Sequence, residues 1–190
     1  MHIKRGDSII DVGCGLGTVG SYLMDRGAIA FGIDISFEAA RATSLSKDYA
    51  AVIQANAESL PFADLSFDGA TFMGTLEHFV DPVKALRAVN QVLKPGAQIC
   101  FVVPNSEFFL FKFFRGTGQP HEVPRTYEGW GQLLEMEGLK SEEVYRDIGP
   151  GVFEGGILRG VPRKLVLLLS NLLPLRYTYQ FVFICRKRGR

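Results

Sequence analysis

Residues 8–20 read Ser-Ile-Ile-Asp-Val-Gly-Cys-Gly-Leu-Gly-Thr-Val-Gly, a short apolar run that stops at a cluster of glycines. Such a run predicts a strand over 8–12, and the glycines predict a tight turn whose backbone a ligand can approach closely. Residues 18–26 then predict a helix, with Gly27 placed to close it in the left-handed conformation. A helix that starts directly after such a turn offers free N–H groups and a partial positive charge, which makes the stretch a candidate anion site.

The same alternation continues downstream. Residues 28–33 form a second apolar run ending at Asp34, and Ser36 can cap a helix reaching about Lys47. Further strands are expected over 51–55, 67–73 and 98–103. Between the last two, a helix runs from Asp81, with Pro82 in its first turn, to Lys94, before Pro95 and Gly96 stop it. Strands that read as continuous apolar runs between helices imply a parallel sheet covered on both faces. Another helix is expected over 126–137, closed by Gly138, and a final strand over 177–185 would carry Tyr177, Tyr179, Phe181 and Phe183 on one face.

The fold class expected is therefore α/β: a single doubly wound Rossmann-like domain over residues 1–190, mostly parallel, with an antiparallel C-terminal strand. Residues 1–105 would be the cofactor-binding half. Residues 106–190 would be a substrate-side half with two apolar insertions, the aromatic run 108–114 and the leucine-rich run 161–174.

At 190 residues the chain has room for one substantial core, and its net charge of +1 supplies no field to gather phosphates, so no nucleic-acid partner is expected. The basic ending 186–190 reads as a solvated terminus. Three scattered cysteines, Cys14, Cys100 and Cys185, have neither the spacing of a metal site nor that of a disulfide framework, so no metal is expected and a reducing cytoplasm is the natural setting. No apolar stretch reaches the roughly eighteen residues of a spanning helix.

The glycine loop fits two templates. Gly15, Gly17 and Gly20 spell the dinucleotide fingerprint G-x-G-x-x-G, while Asp11, Gly13, Gly15 and Gly17 spell D-x-G-x-G-x-G, a loop that holds S-adenosylmethionine. Asp34, at the end of the second strand, can accept from ribose hydroxyls in either case. A triphosphate loop is excluded, because Gly20 is followed by Ser21 and Tyr22 rather than by Lys and Ser or Thr. None of the six tyrosines has a lysine four positions later, so the pair typical of short dehydrogenases is missing.

Four segments settle the choice: DVGCGLGTVG at 11–20, FGIDIS at 31–36, QANAESLPFADLSFDGATFMGTLEHF at 54–79 and LKPGAQICFVVPN at 93–105. In that order, over roughly residues 7–105, the sequence resembles the class I S-adenosylmethionine-dependent methyltransferases, of the broad group that includes small-molecule, quinone and lipid methylating enzymes. The resemblance implies S-adenosylmethionine as cofactor and S-adenosylhomocysteine as product. It implies that Gly13, Cys14, Gly15 and Gly17 wrap the methionine end, with Asp11 behind them facing the ammonium. Asp34 would hold the ribose and Ile35 would cover one adenine face. Asn56, standing where many relatives carry an aspartate, and Ala57 would meet the adenine edge, and Met73 and Gly74 would line the sulfonium end.

Methyl transfer from a sulfonium needs alignment and exclusion of water more than covalent help, and a base assists when the acceptor carries a proton. Histidine suits that task near neutral pH, so His78 and His121 are the candidate catalytic residues, while Glu77 and Glu122 read as solvated neighbours. The apolar excess of the second half fits a lipophilic acceptor, a peripheral contact with a membrane surface, or a homodimer interface. Two alternatives stay open: an NAD-dependent oxidoreductase, and a non-catalytic S-adenosylmethionine-binding module that needs a partner. The second is motivated by Asn56 and by the few residues, 1–7, ahead of the first strand, where relatives place helices that cover the site.

Overall fold

A computed structural model of the chain describes residues 1–108, 122–147 and 174–189. The described strands form one seven-stranded sheet in the order β3-β2-β1-β4-β5-β7-β6. They are β1 (Ser8–Val12), β2 (Ile29–Asp34), β3 (Ala51–Gln54), β4 (Phe67–Met73), β5 (Leu93–Pro104), β6 (Leu139–Asp147) and β7 (Gln180–Lys187). Neighbours pair in parallel from β3 to β5, and β7 runs antiparallel to both β5 and β6, so the C-terminal strand is the one reversed member. The expected architecture is the observed one.

Four helices accompany the sheet among the described residues: α1 (Gly20–Asp25), α2 (Phe37–Ser44), α3 (Pro82–Val92) and α4 (Tyr127–Met136). Their starts follow from local chemistry. The Ser36 hydroxyl accepts from the Ala39 N–H, the Asp81 carboxylate from Lys84 N–H and the Thr126 hydroxyl from Gly129 N–H, each satisfying a donor that a helix start leaves open. Alternation along each strand divides the core between two faces. Ile10, Phe72 and Phe101 pack with Leu86 and Val89 of α3 and with Trp130 and Leu134 of α4, whereas Ile9 and Ala30 pack with Leu23 of α1. The Phe72 and Phe101 rings stack 4.8 Å apart, and Trp130 spends its indole N–H on the Pro104 carbonyl at 2.8 Å. Each such side chain, fully buried, contributes about 1.5–3 kcal/mol.

Several boundaries differ from expectation: α1 covers Gly20–Asp25 rather than 18–26, and α2 ends at Ser44 rather than near Lys47. β6 is a strand that no apolar run announced: its sequence LKSEEVYRD is mostly exposed, it lies at the sheet edge, and its pairing to β7 is interrupted between Ser141 and Glu143. Charge and irregularity on an edge discourage further pairing, and they also hide the strand from a search for alternation. Residues 93–97 belong to β5 rather than to a helix stop alone, with Leu93 opposite Phe67. The last strand starts at Gln180, because Leu175–Tyr177 form a 3-10 turn. The leucine-rich insertion up to 173, and all of the aromatic one beyond Phe108, lie outside the described residues.

Candidate functional site

β1 to β4 point their carboxyl ends the same way, so the residues that follow Val12, Asp34, Gln54 and Met73 converge on one edge of the sheet. The order reverses between β1 and β4, and the crevice at such a switch point is where open α/β sheets bind ligands. A cavity of about 270 Å³ opens there, lined by Gly13, Asp34, Ile35, Asn56, Ala57 and His78, together with Thr75 and Val80. Six of the residues singled out from the sequence are thus brought together.

The glycine loop is built to be approached from one side. Gly13 has φ +71°, and a Cβ there would come within 2.4 Å of the Thr75 methyl group, while Gly15 faces open space. The loop is tied down by donors from Gly13 and Cys14 to the Ile33 carbonyl and by the Thr43 hydroxyl, which donates to the Gly15 carbonyl at 2.6 Å. Asp34 joins loop to helix. One of its oxygens accepts from Gly15 N–H and the other from Ser36 N–H, each at 2.9 Å, so the carboxylate is fixed at the cavity wall.

Asp11 sits behind this assembly, 1% exposed. Its two oxygens accept from the Tyr49 and Thr71 hydroxyls, both at 2.7 Å. Burial pushes its carboxyl above the ordinary value, against those two hydrogen bonds, with the Asp34 charge adding a smaller push. Cys14 is buried against Gly32, and desolvation first, then the Asp11 and Asp34 charges, push its thiol up to about 12; it is an uncharged packing residue at neutral pH.

Ile35 is 70% exposed at the cavity mouth, a conspicuous position for a large apolar side chain. The Asn56 amide oxygen accepts from Glu58 N–H at 2.9 Å, which shapes the turn over the cavity. His78, in the 3-10 turn Leu76–His78 after β4, lines the cavity. Gly74 is held by donation to the Val102 carbonyl, and Met73 lies outside this cavity, bordering an open groove beside α1. His121 lies outside the described residues.

Glu77 overturns its reading as a solvated neighbour. It is 4% exposed, its Oε2 has no hydrogen-bond partner, and the Glu122 Oε2 is likewise buried and unpaired. Burial, with a smaller push from Glu122, raises the Glu77 carboxyl to about 7, and burial raises Glu122 as well. Val123 N–H donates to the Glu77 carbonyl, which holds the two segments side by side. Adjacency to His78 hid this residue in the sequence, since neither periodicity nor charge pattern marks the inward side of a three-residue turn.

A methyltransferase domain model matches residues 10–101, the span from β1 to β5. The chain belongs to the class I S-adenosylmethionine-dependent methyltransferase family. Among its relatives, the ubiquinone biosynthesis O-methyltransferase of Alkalilimnicola ehrlichii is 32% identical over 142 residues, 71% of this chain and 58% of that one. The S-adenosyl-L-methionine-dependent Diels-Alderase iccD of Talaromyces variabilis is 31% identical over 195 aligned positions, 90% of this chain and 66% of that one. The methyltransferase solved in complex with the Haloferax volcanii Trm112 activator superposes with a TM-score of 0.78 at 18% identity, covering 100% of this chain and 86% of that one. The chain spans about half the length of the curated relatives it matches. S-adenosylmethionine is the cofactor that goes with this family, and the residues fit it: a one-sided glycine cradle, a fixed carboxylate and an apolar ledge surround one cavity.

Proposed function

We propose that the chain transfers a methyl group from S-adenosylmethionine to a small lipophilic acceptor and releases S-adenosylhomocysteine. The observation that carries this reading is Asp34, whose carboxylate is immobilised by Gly15 and Ser36 beside Ile35, Asn56 and Ala57 in a single cavity. When bound, the cofactor supplies a methyl group already activated by a positive sulfonium, which leaves alignment and exclusion of water to the protein. In this reading the backbone from Gly13 to Gly17 holds the methionine end, Asp34 the ribose, and Ile35, Asn56 and Ala57 the adenine. Asp11, with both oxygens engaged, acts by fixing Tyr49 and Thr71 beneath the loop and by its charge. Met73 and Gly74 border the methyl group, and His78 and His121 are the candidates to take a proton from the acceptor.

The ubiquinone-pathway relative supports a lipophilic, quinone-like acceptor. The Diels-Alderase relative favours one alternative, in which the same cofactor stays intact while a cyclisation is catalysed. The Trm112-bound neighbour leaves a second, that activity needs a partner chain. Incubation with S-adenosylmethionine and a panel of quinols, phenols and lipid extracts, with detection of S-adenosylhomocysteine, separates these. Methyl transfer requires stoichiometric S-adenosylhomocysteine; binding without it across the panel favours the cyclisation or the partner-dependent reading. Thermal shift checks the cofactor alone: ligand at one hundred times its Kd adds about 2.7 kcal/mol, which moves the midpoint by roughly 5–11 °C at roughly 2–4 °C per kcal/mol.

A further inference from the structure

Tyr49, in the segment between α2 and β3, is 8% exposed and packs its ring beneath the glycine loop, in one cluster with Cys14, Leu23 and Ala30. The next residue anchors it, since Ala50 N–H donates to the Ala30 carbonyl at 2.8 Å. Three glycines make room for the ring. A Cβ at Gly20 would come within 2.3 Å of the Tyr49 Cε2, and one at Gly17 or Gly32 would lie 3.3 Å from the ring. The hydroxyl donates to Asp11 at 2.7 Å. Burial first, then the Asp11 charge and the bond to it, push that hydroxyl well above its ordinary value, against a hydrogen bond from the Gly20 backbone, so it stays a donor at neutral pH.

Thr43 of α2 supports the loop beside the ring. It is 2% exposed, its hydroxyl donates to the Gly15 carbonyl at 2.6 Å, and its methyl group would lie 2.9 Å from a Cβ at Gly17. The glycines therefore answer to different neighbours. Gly15 faces open space, where a ligand can reach the backbone, whereas Gly17 and Gly20 face Thr43 and Tyr49. Gly20, which completes the spelling G-x-G-x-x-G, is accounted for by the protein's own ring and by the Asp48 carbonyl, 2.7 Å from the same Cβ, with no pyrophosphate needed. Glycine backbone is the most costly to order, and a loop held in its bound shape beforehand avoids that cost when the ligand arrives. Neither Tyr49 nor Thr43 is among the residues that line the Asp34 cavity, so both act through the loop.

We propose that Tyr49 and Thr43 are positioning residues for the cofactor, forming the floor that holds residues 13–17 in the shape that receives its aminocarboxypropyl group. This rests on the reading that the loop holds the methionine end of S-adenosylmethionine, and it adds the two side chains that shape the loop.

The test compares two ligands by calorimetric titration into the full chain: S-adenosylhomocysteine, and 5′-methylthioadenosine, which keeps the nucleoside and thioether but lacks the aminocarboxypropyl group. The parent chain should prefer the first. Ordering one freed backbone residue on binding costs roughly tenfold in affinity. Tyr49→Leu, which removes the ring, and Thr43→Val, which removes the donor to Gly15, should therefore each weaken S-adenosylhomocysteine about tenfold or more and leave methylthioadenosine within about twofold. Tyr49→Phe, which keeps the ring, should recover most of the preference. Folded variants that retain the parent's preference overturn the proposal, and so does an equal loss for both ligands, which would mean that the two residues only support the fold. Tyr49→Phe as weak as Tyr49→Leu overturns it too, because the ring would not then be the floor. If Tyr49→Leu does not fold, Thr43→Val decides. A parent chain that binds the two ligands equally, or neither, overturns the reading beneath, and the proposal falls with it.

Discussion

Asp34 and Glu77 are both acidic residues at the carboxyl edge of the sheet, and their surroundings give them opposite characters. Asp34 accepts two backbone N–H groups and stands fixed at a cavity wall. Hydrogen bonds to charged groups are worth about 1.5–3 kcal/mol, so Asp34→Ala should weaken S-adenosylhomocysteine binding about tenfold or more, read by calorimetry. Unchanged affinity would remove the ribose assignment. Glu77 is raised from 4.5 to about 7 by burial, so the folded state keeps a proton that the unfolded chain releases between those values. Its contribution to stability is whole below about pH 4.5 and is lost as pH rises toward 7. That gap corresponds to about 3 kcal/mol, and Gln cannot ionise. Glu77→Gln should therefore be the more stable protein at pH 8 and should lose part of the decline that urea unfolding records in the parent between pH 5 and 8. Parallel curves for the two proteins would contradict the buried carboxyl whose Oε2 lacks a partner.

At the scale of elements, caps and left-handed glycines were the most legible features. Ser36 and Thr126 read as helix starts and accept from Ala39 and Gly129; Gly27 and Gly138 read as stops, and both have φ +78°. Thr126→Ala should cost about 1 kcal/mol, seen as a fall of roughly 2–4 °C in Tm, because α4 loses one satisfied donor at its first turn. β4 was readable to the residue, since Phe67–Met73 is apolar and flanked by turn residues on both sides. β6 was not. It relies on β7 for partners and on surface pairs such as Arg186 with Glu142 at 2.6 Å, and neither leaves a trace in the periodicity of its own residues. The site was legible to the same uneven degree. Residues that need a special backbone or a strand end, Gly13, Gly15 and Asp34, could be found from spacing, whereas the inward turn of Glu77 depends on contacts between distant segments.

Over the whole molecule, one edge of the sheet gathers the chemistry. The switch point between β1 and β4 holds the cavity lined by Asp34, and Glu77, buried beside the half-buried Glu122, lies at the same edge in the turn after β4. No helix among the described residues is long and apolar enough to cross a membrane, and none of their His, Cys, Asp and Glu side chains cluster as a metal site. The match to relatives over residues 10–101 covers the strands that carry that cavity, and the methyl-transfer reading stands or falls with it. A crystal structure of the chain with S-adenosylhomocysteine tests that reading most directly. The account predicts the aminocarboxypropyl group along Gly13 to Gly17, the ribose hydroxyls on the Asp34 carboxylate and the adenine against Ile35; a ligand bound elsewhere, with that cavity empty, would contradict it.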